Sequence, residues 1–76
     1  MKKYFFDVVG DGCRELDFHG RAFAEPEKAL ETAQILALDM EVGYGEEYSG
    51  RTVQVRSADG MSLFSVPIRM PDQIAA

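Results

Sequence analysis

Two stretches of alternating residues, each broken by a glycine-bearing turn, flank one amphipathic segment, and this order constrains the fold more than any other feature. The first stretch runs from Lys3 to Phe18 and turns at Gly10-Asp11-Gly12; the second runs from Thr52 to Ile68 and turns at Ala58-Asp59-Gly60. An Asp-Gly pair suits a tight hairpin because glycine, lacking Cβ, reaches the positive φ that the turn requires. The expected fold is α+β: a two-layer domain in ββαββ order, with a four-stranded antiparallel sheet of two hairpins and one helix on one face. That pattern describes a small module and assigns it no activity.

Strand side chains change face at every residue. Tyr4, Phe6 and Val8 therefore share a core face, and Lys3, Phe5, Asp7 and Val9 point the other way. After the first turn, Leu16 and Phe18 are expected to join the core side, leaving Cys13, Glu15, Asp17 and His19 as an outer polar row. In the second hairpin Val53 and Val55 face inward, matched by Phe64, Val66 and Ile68, while Leu63 and Ser65 face outward. Pro67 has no N–H to give a ladder and implies an edge strand or a strand end. Residues 1–68 read as one domain and 69–76 as a C-terminal tail.

Between the hairpins, His19 to Ala24 reads as a connection and a helix is expected from Pro26 to Val42, ending at Gly43. Proline suits the first helical position, where its missing N–H is not needed, and Glu25 and Glu27 sit near the positive end of the dipole. At 100° per residue, Ala29, Leu30, Ala33, Leu36, Ala37 and Met40 fall in one sector of about 120°, the width of a core-facing stripe. Ile35, Leu38 and Val42 fall on the reverse side, where water is expected. That apolar strip calls for a cover, either this chain's own loop or tail or another subunit.

With 76 residues, a chain buries roughly 60% of its unfolded surface and reaches a stability of about 4 to 11 kcal/mol. Small domains often add disulfides or a metal, but Cys13 is the one cysteine and His19 the one histidine, so association with a second copy is the remaining common remedy. The lone cysteine and the absence of an apolar leader after Met1-Lys2-Lys3 imply a reducing, cytoplasmic setting. No segment has the roughly 20 apolar residues needed to span a bilayer. A net charge of −5, with eight basic residues scattered among thirteen acidic ones, argues against nucleic acid and favours a basic partner if charge guides the encounter.

Chemistry-bearing motifs are few. The row Cys13, Glu15, Asp17 and His19 brings a thiol, an imidazole and two carboxylates to one strand face, but same-face neighbours stand roughly 7 Å apart, too far for a thiolate–imidazole pair. A solvated strand face is the better reading. Asp7 to Gly12 lacks the ligand spacing of a calcium loop. Gly10-Asp11-Gly12 joins strands with no helix after it to present its N-terminus to a phosphate, and Gly43-Tyr44-Gly45 follows a helix, so it reads as a cap. No cofactor or metal set emerges, and no enzyme is expected. Tyr44, Tyr48 and Arg51 sit on or beside the long connection 43–50, and tyrosine and arginine are enriched at interface hot spots. Together with Ile35, Leu38 and Val42 they form the candidate partner surface; Phe5 and Leu63, away from the helix, raise the same question.

Lys3-Tyr4-Phe5-Phe6-Asp7, the Asp11-Gly12 turn, the alanine-rich helix, Ser49-Gly50-Arg51 before Val53-x-Val55, and Asp59-Gly60-x-x-Leu63-x-x-Val66-Pro67 together resemble a family of small bacterial domains of unknown function. That family is abundant in alphaproteobacteria and often makes up an entire protein. The likeness covers nearly the whole chain and implies a ββαββ layout and a bacterial source, with no activity and no catalytic residues. Members commonly carry Pro-Asp before the helix, where Ala24-Glu25-Pro26 stands here, which leaves the form of the cap open. A weaker likeness, carried by the N-terminal hairpin and Glu27-Lys28-Ala29-Leu30-Glu31, is to HicB-type antitoxins; the second hairpin departs from that pattern. The leading expectation is a noncatalytic interaction module that self-associates, most simply as a dimer. The alternative is an antitoxin-like or regulatory protein that binds a basic protein.

Overall fold

A computed structural model describes residues 1–10, 12–43, 48 and 50–69, with the backbone alone at Cys13. The elements in chain order are β1 (Lys2–Gly10), β2 (Cys13–Glu15), β3 (Arg21–Phe23), α1 (Pro26–Gly43), β4 (Thr52–Ser57) and β5 (Ser62–Pro67). The class is α+β, as expected, with one helix and an antiparallel sheet. The sheet, however, has five strands and the order is βββαββ, which corrects the four-stranded ββαββ layout.

The extra strand arises because the second strand stops early. β2 pairs with the C-terminal half of β1, Val8 opposite Glu15, and β3 pairs with its N-terminal half, Tyr4 opposite Arg21. Between those pairs residues 5–7 of β1 face residues 16–20, so the second segment carries two more residues than β1 can match. Side-chain bonding explains the departure: the Asp17 carboxylate accepts from the backbone N–H groups of Phe6, His19 and Gly20 at 3.0 to 3.2 Å, offering the chain a local alternative to the ladder. Because the excess is even, alternation resumes in phase in β3. Phe23 then faces the core with its ring 6.1 Å from those of Tyr4 and Phe6. Leu16 and Phe18, expected inside, are instead 42% and 80% exposed. Phe23, from a stretch read as connection, takes the place in the core that Phe18 was expected to hold.

Gly20 makes the return possible. Its φ is +69°, and a Cβ there would lie 2.9 Å from the Tyr4 carbonyl oxygen and from the Phe5 ring.

β4 lies between β1 and β5, and its Val53 and Val55 are fully buried. The helix runs from Pro26, one residue past its expected end at Val42, and packs over β3, β4 and β5. Ala29, Ala33 and Ala37 are buried against the sheet, with Tyr4, Val8 and Ile68 completing the centre and Phe6, Phe23, Met40, Phe64 and Val66 around it. Alanines at that spacing let the helix axis lie close to the strands. Leu30 and Leu36, expected on the same stripe, are half-buried at its margins.

β5 is the outer strand on its side. Its pairing slips between Val55–Phe64 and Arg56–Ser62, which leaves Leu63 as a bulge, and Pro67 closes the strand. Past the proline, Ile68 donates to the Arg51 carbonyl at 2.8 Å and accepts from Gly50 at 3.1 Å, which carries its side chain into the core. No helix among the described residues is long and apolar enough to cross a membrane.

Candidate interaction surfaces

The helix side turned from the sheet carries Ile35, Leu38 and Val42 at 60%, 51% and 74% exposure. Spacing of i, i+3 and i+7 sets them in one strip. Lys28 and Glu31 pair at 3.5 Å one to two turns earlier, so the outer side is polar in its first half and apolar in its second. Nothing among the described residues covers the strip.

Arg51 and Tyr48 come together at a corner of the sheet, the guanidinium 5.0 Å from the ring centroid. Arg51 is half-buried and also reaches Glu15 on β2 at 3.3 Å. To do so its side chain passes over Gly10, where a Cβ would stand only 3.0 to 3.3 Å from three Arg51 atoms. Tyr48 leans on the core. Tyr44 and residues 70–76 lie outside the described residues, so the structure places Ile35, Leu38 and Val42 together, Tyr48 and Arg51 together, and does not describe the sixth member of the expected surface.

The outer polar row does not exist as one strand face. Glu15 is the last residue of β2 and pairs with Arg51; Asp17 turns its carboxylate back into the loop; His19 is exposed beyond it. The Cys13 side chain lies outside the described residues. The register sets Glu15 opposite Val8, on the core side of β1, and Arg14 opposite Val9, so the expected outer row starts on the other face, and the ladder then ends at Glu15. Among the described residues, no three of His, Cys, Asp and Glu gather as a metal set.

What the sequence reading missed lies on the sheet face away from the helix. Asp7, on the side of β1 opposite Tyr4, Phe6 and Val8 as its alternation requires, is only 1% exposed. Its carboxylate receives the Arg56 guanidinium twice, Nε to Oδ2 at 2.9 Å and Nη2 to Oδ1 at 3.3 Å, and Oδ1 also accepts from the Asp17 backbone N–H at 2.9 Å. Nη2 of Arg56 donates in addition to the Asp17 carbonyl at 3.2 Å, and its guanidinium lies 4.6 Å from the centroid of the Phe5 ring. Burial pushes the Asp7 carboxyl up, but the Arg56 hydrogen bonds, the Asp17 N–H and the nearby positive charge outweigh it and hold the carboxyl below its ordinary value. Asp17 is likewise held low: burial opposes ionisation, and the N–H groups of Phe6, Gly20 and His19 overcome it. Both oxygens of Asp7 are occupied, so the cluster is built as a clamp on loop 16–20. The available clue was an aspartate set between Phe5-Phe6 and Val8-Val9, with an arginine on the outward face of another strand.

A second buried acid, Glu41, stands on the last helical turn at 7% exposure. Its Oε1 accepts from the Arg69 backbone N–H at 2.9 Å and from Nε at 3.3 Å. These contacts, the backbone one foremost, lower its pKa against the cost of burial.

A family model described as a domain of unknown function, DUF6894, matches residues 3–69. No curated protein and no solved structure matches the chain.

Proposed function

The chain belongs to the DUF6894 family, a domain of unknown function, and on that premise we propose that it is a noncatalytic interaction module that pairs with a second copy of itself through the outer side of its helix. The observation that carries this reading is the exposed strip Ile35, Leu38 and Val42 on a helix whose opposite side is already seated on the sheet. A second copy is the favoured occupant because a core this small gains from association, and because a short apolar strip on one helix can meet its own equivalent across a two-fold axis, each copy using the same residues. Occupied carboxylates at Asp7 and Asp17 support the noncatalytic part of the reading. A single domain over residues 1–68, a bacterial source and a reducing, cytoplasmic setting belong to the same proposal, the last supported by the lone cysteine.

Sedimentation equilibrium tests it. The expected result is a dimer at high micromolar concentration that Ile35→Lys converts to a monomer with unchanged circular dichroism, while truncation after Arg69 leaves the dimer intact. A strict monomer, unaffected by Ile35→Lys, overturns the proposal. A net charge of −5 supports a second reading, an antitoxin-like or regulatory protein that captures a basic protein. A basic partner copurifying with the wild-type chain and lost with Ile35→Lys favours that reading over the homodimer.

A further inference from the structure

At the end of the sheet where α1 begins, an open groove of about 810 Å³ separates the helix start from the β4–β5 turn. That volume lies within the ~300–1,000 Å³ of small-molecule sites. Tyr4, Leu63 and Phe64 form its sheet wall, and Ala24 and Pro26 face them from the chain ahead of the helix. Met61, 62% exposed, stands at its rim. The polar lining is sparse and its sign is opposite to that of the molecule: Lys2 and Lys3 against the single carboxylate of Asp59, in a chain whose net charge is −5. Asp59 is turned into its own loop, where it accepts from the Ser57 hydroxyl. Among the described residues neither lysine is within ion-pair distance of a carboxylate, although the Lys2 charge, after the Ser57 hydrogen bond, helps to hold the Asp59 carboxyl low. Two lysines against one carboxylate leave the groove with a net positive charge.

We propose that this groove binds a small amphipathic anion, its apolar body between Tyr4, Leu63 and Phe64 and its carboxylate or phosphate head toward Lys2 and Lys3. Charge complementarity selects this occupant over a neutral or basic one. The site is separate from the helix strip, which begins two and a half turns further along α1, and it stands or falls independently of the dimer.

Decanoate is the probe, followed by chemical-shift changes on the isotope-labelled full chain, with decanol as the uncharged control. The expected result is saturable binding with shifts confined to the groove lining and decanol weaker than decanoate. Replacing either Lys2→Gln or Lys3→Gln should weaken binding about threefold, the scale of an exposed charge interaction. Leu63→Asp, at a partly exposed position, should abolish binding with the fold intact, and Ile35→Lys should leave it unchanged. Non-saturable shifts, shifts centred on Ile35, Leu38 and Val42, or equal binding of decanol and decanoate each overturn the proposal.

Discussion

At the scale of single residues, Asp7 is the most consequential side chain in the molecule. It combines near-complete burial with three accepted hydrogen bonds that tie β1 to β4 and to loop 16–20. Removing Arg56 strands a buried carboxylate, and removing Asp7 leaves the Asp17 N–H and a half-buried guanidinium without their acceptor, each a destabilising change in a chain with little stability to spare. Asp7→Ala should therefore lower the urea midpoint sharply, and Arg56→Ala should act in the same direction because it leaves Asp7 uncompensated; a midpoint close to wild type in both variants would show the clamp to be ornamental. Acid sensitivity follows from the same group together with Asp17 and Glu41, all held below their ordinary values. A carboxyl depressed in the folded state contributes its full stability above the unfolded value, near pH 4, and loses it as pH falls through the folded one. The melting temperature should stay level from neutrality to about pH 5 and then fall, with a shallower acid limb in Asp7→Asn. Gly20→Ala tests the loop from the other side, since φ of +69° and a Cβ 2.9 Å from the Tyr4 carbonyl should cost about 1 to 3 kcal/mol, read as a lower urea midpoint.

At the scale of elements, the helix and the second hairpin were legible and the first hairpin was legible only in part. Pro26 and the alanine spacing state where α1 begins and which side it buries; Val53, Val55 and Ile68 lie inside as their alternation requires. The first hairpin misled because its register pairs Arg14 with the outward Val9 and Glu15 with the inward Val8, which gives Leu16 and Phe18 the outward parity, and because the ladder ends at Glu15. What ends it is the Asp17 carboxylate capturing three backbone N–H groups, one of them from Phe6 on the neighbouring strand, a contact that periodicity cannot register. The burial of Asp7 escaped periodicity in the same way: alternation gives its face but not the loop that leans over it. The alanine seam is also the place where extra volume has nowhere to go. Ala33→Leu should destabilise by about 1 to 3 kcal/mol through overpacking, measurable by chemical denaturation, whereas Gln34→Leu on the exposed side should not.

At the scale of the whole molecule, the surface splits into a helix with an apolar outer strip, a sheet face closed by the Asp7–Arg56–Asp17 clamp, and a groove with two lysines at the far end. Of these, only the strip could be read beforehand, since Ile35, Leu38 and Val42 share a helix face by spacing alone; the clamp and the groove depend on which residues a loop or a turn brings together. The kinked margin of the sheet has a last consequence. With Leu63 out of register, only residues 64–67 of β5 keep regular phase along that margin, Pro67 among them without an N–H, a run shorter than the about six consecutive residues from which cross-β stacks are built. Crowded solutions should therefore stay clear and negative to thioflavin T. Deleting Leu63 and replacing Pro67→Thr would straighten the margin into a template on which fibrils could seed.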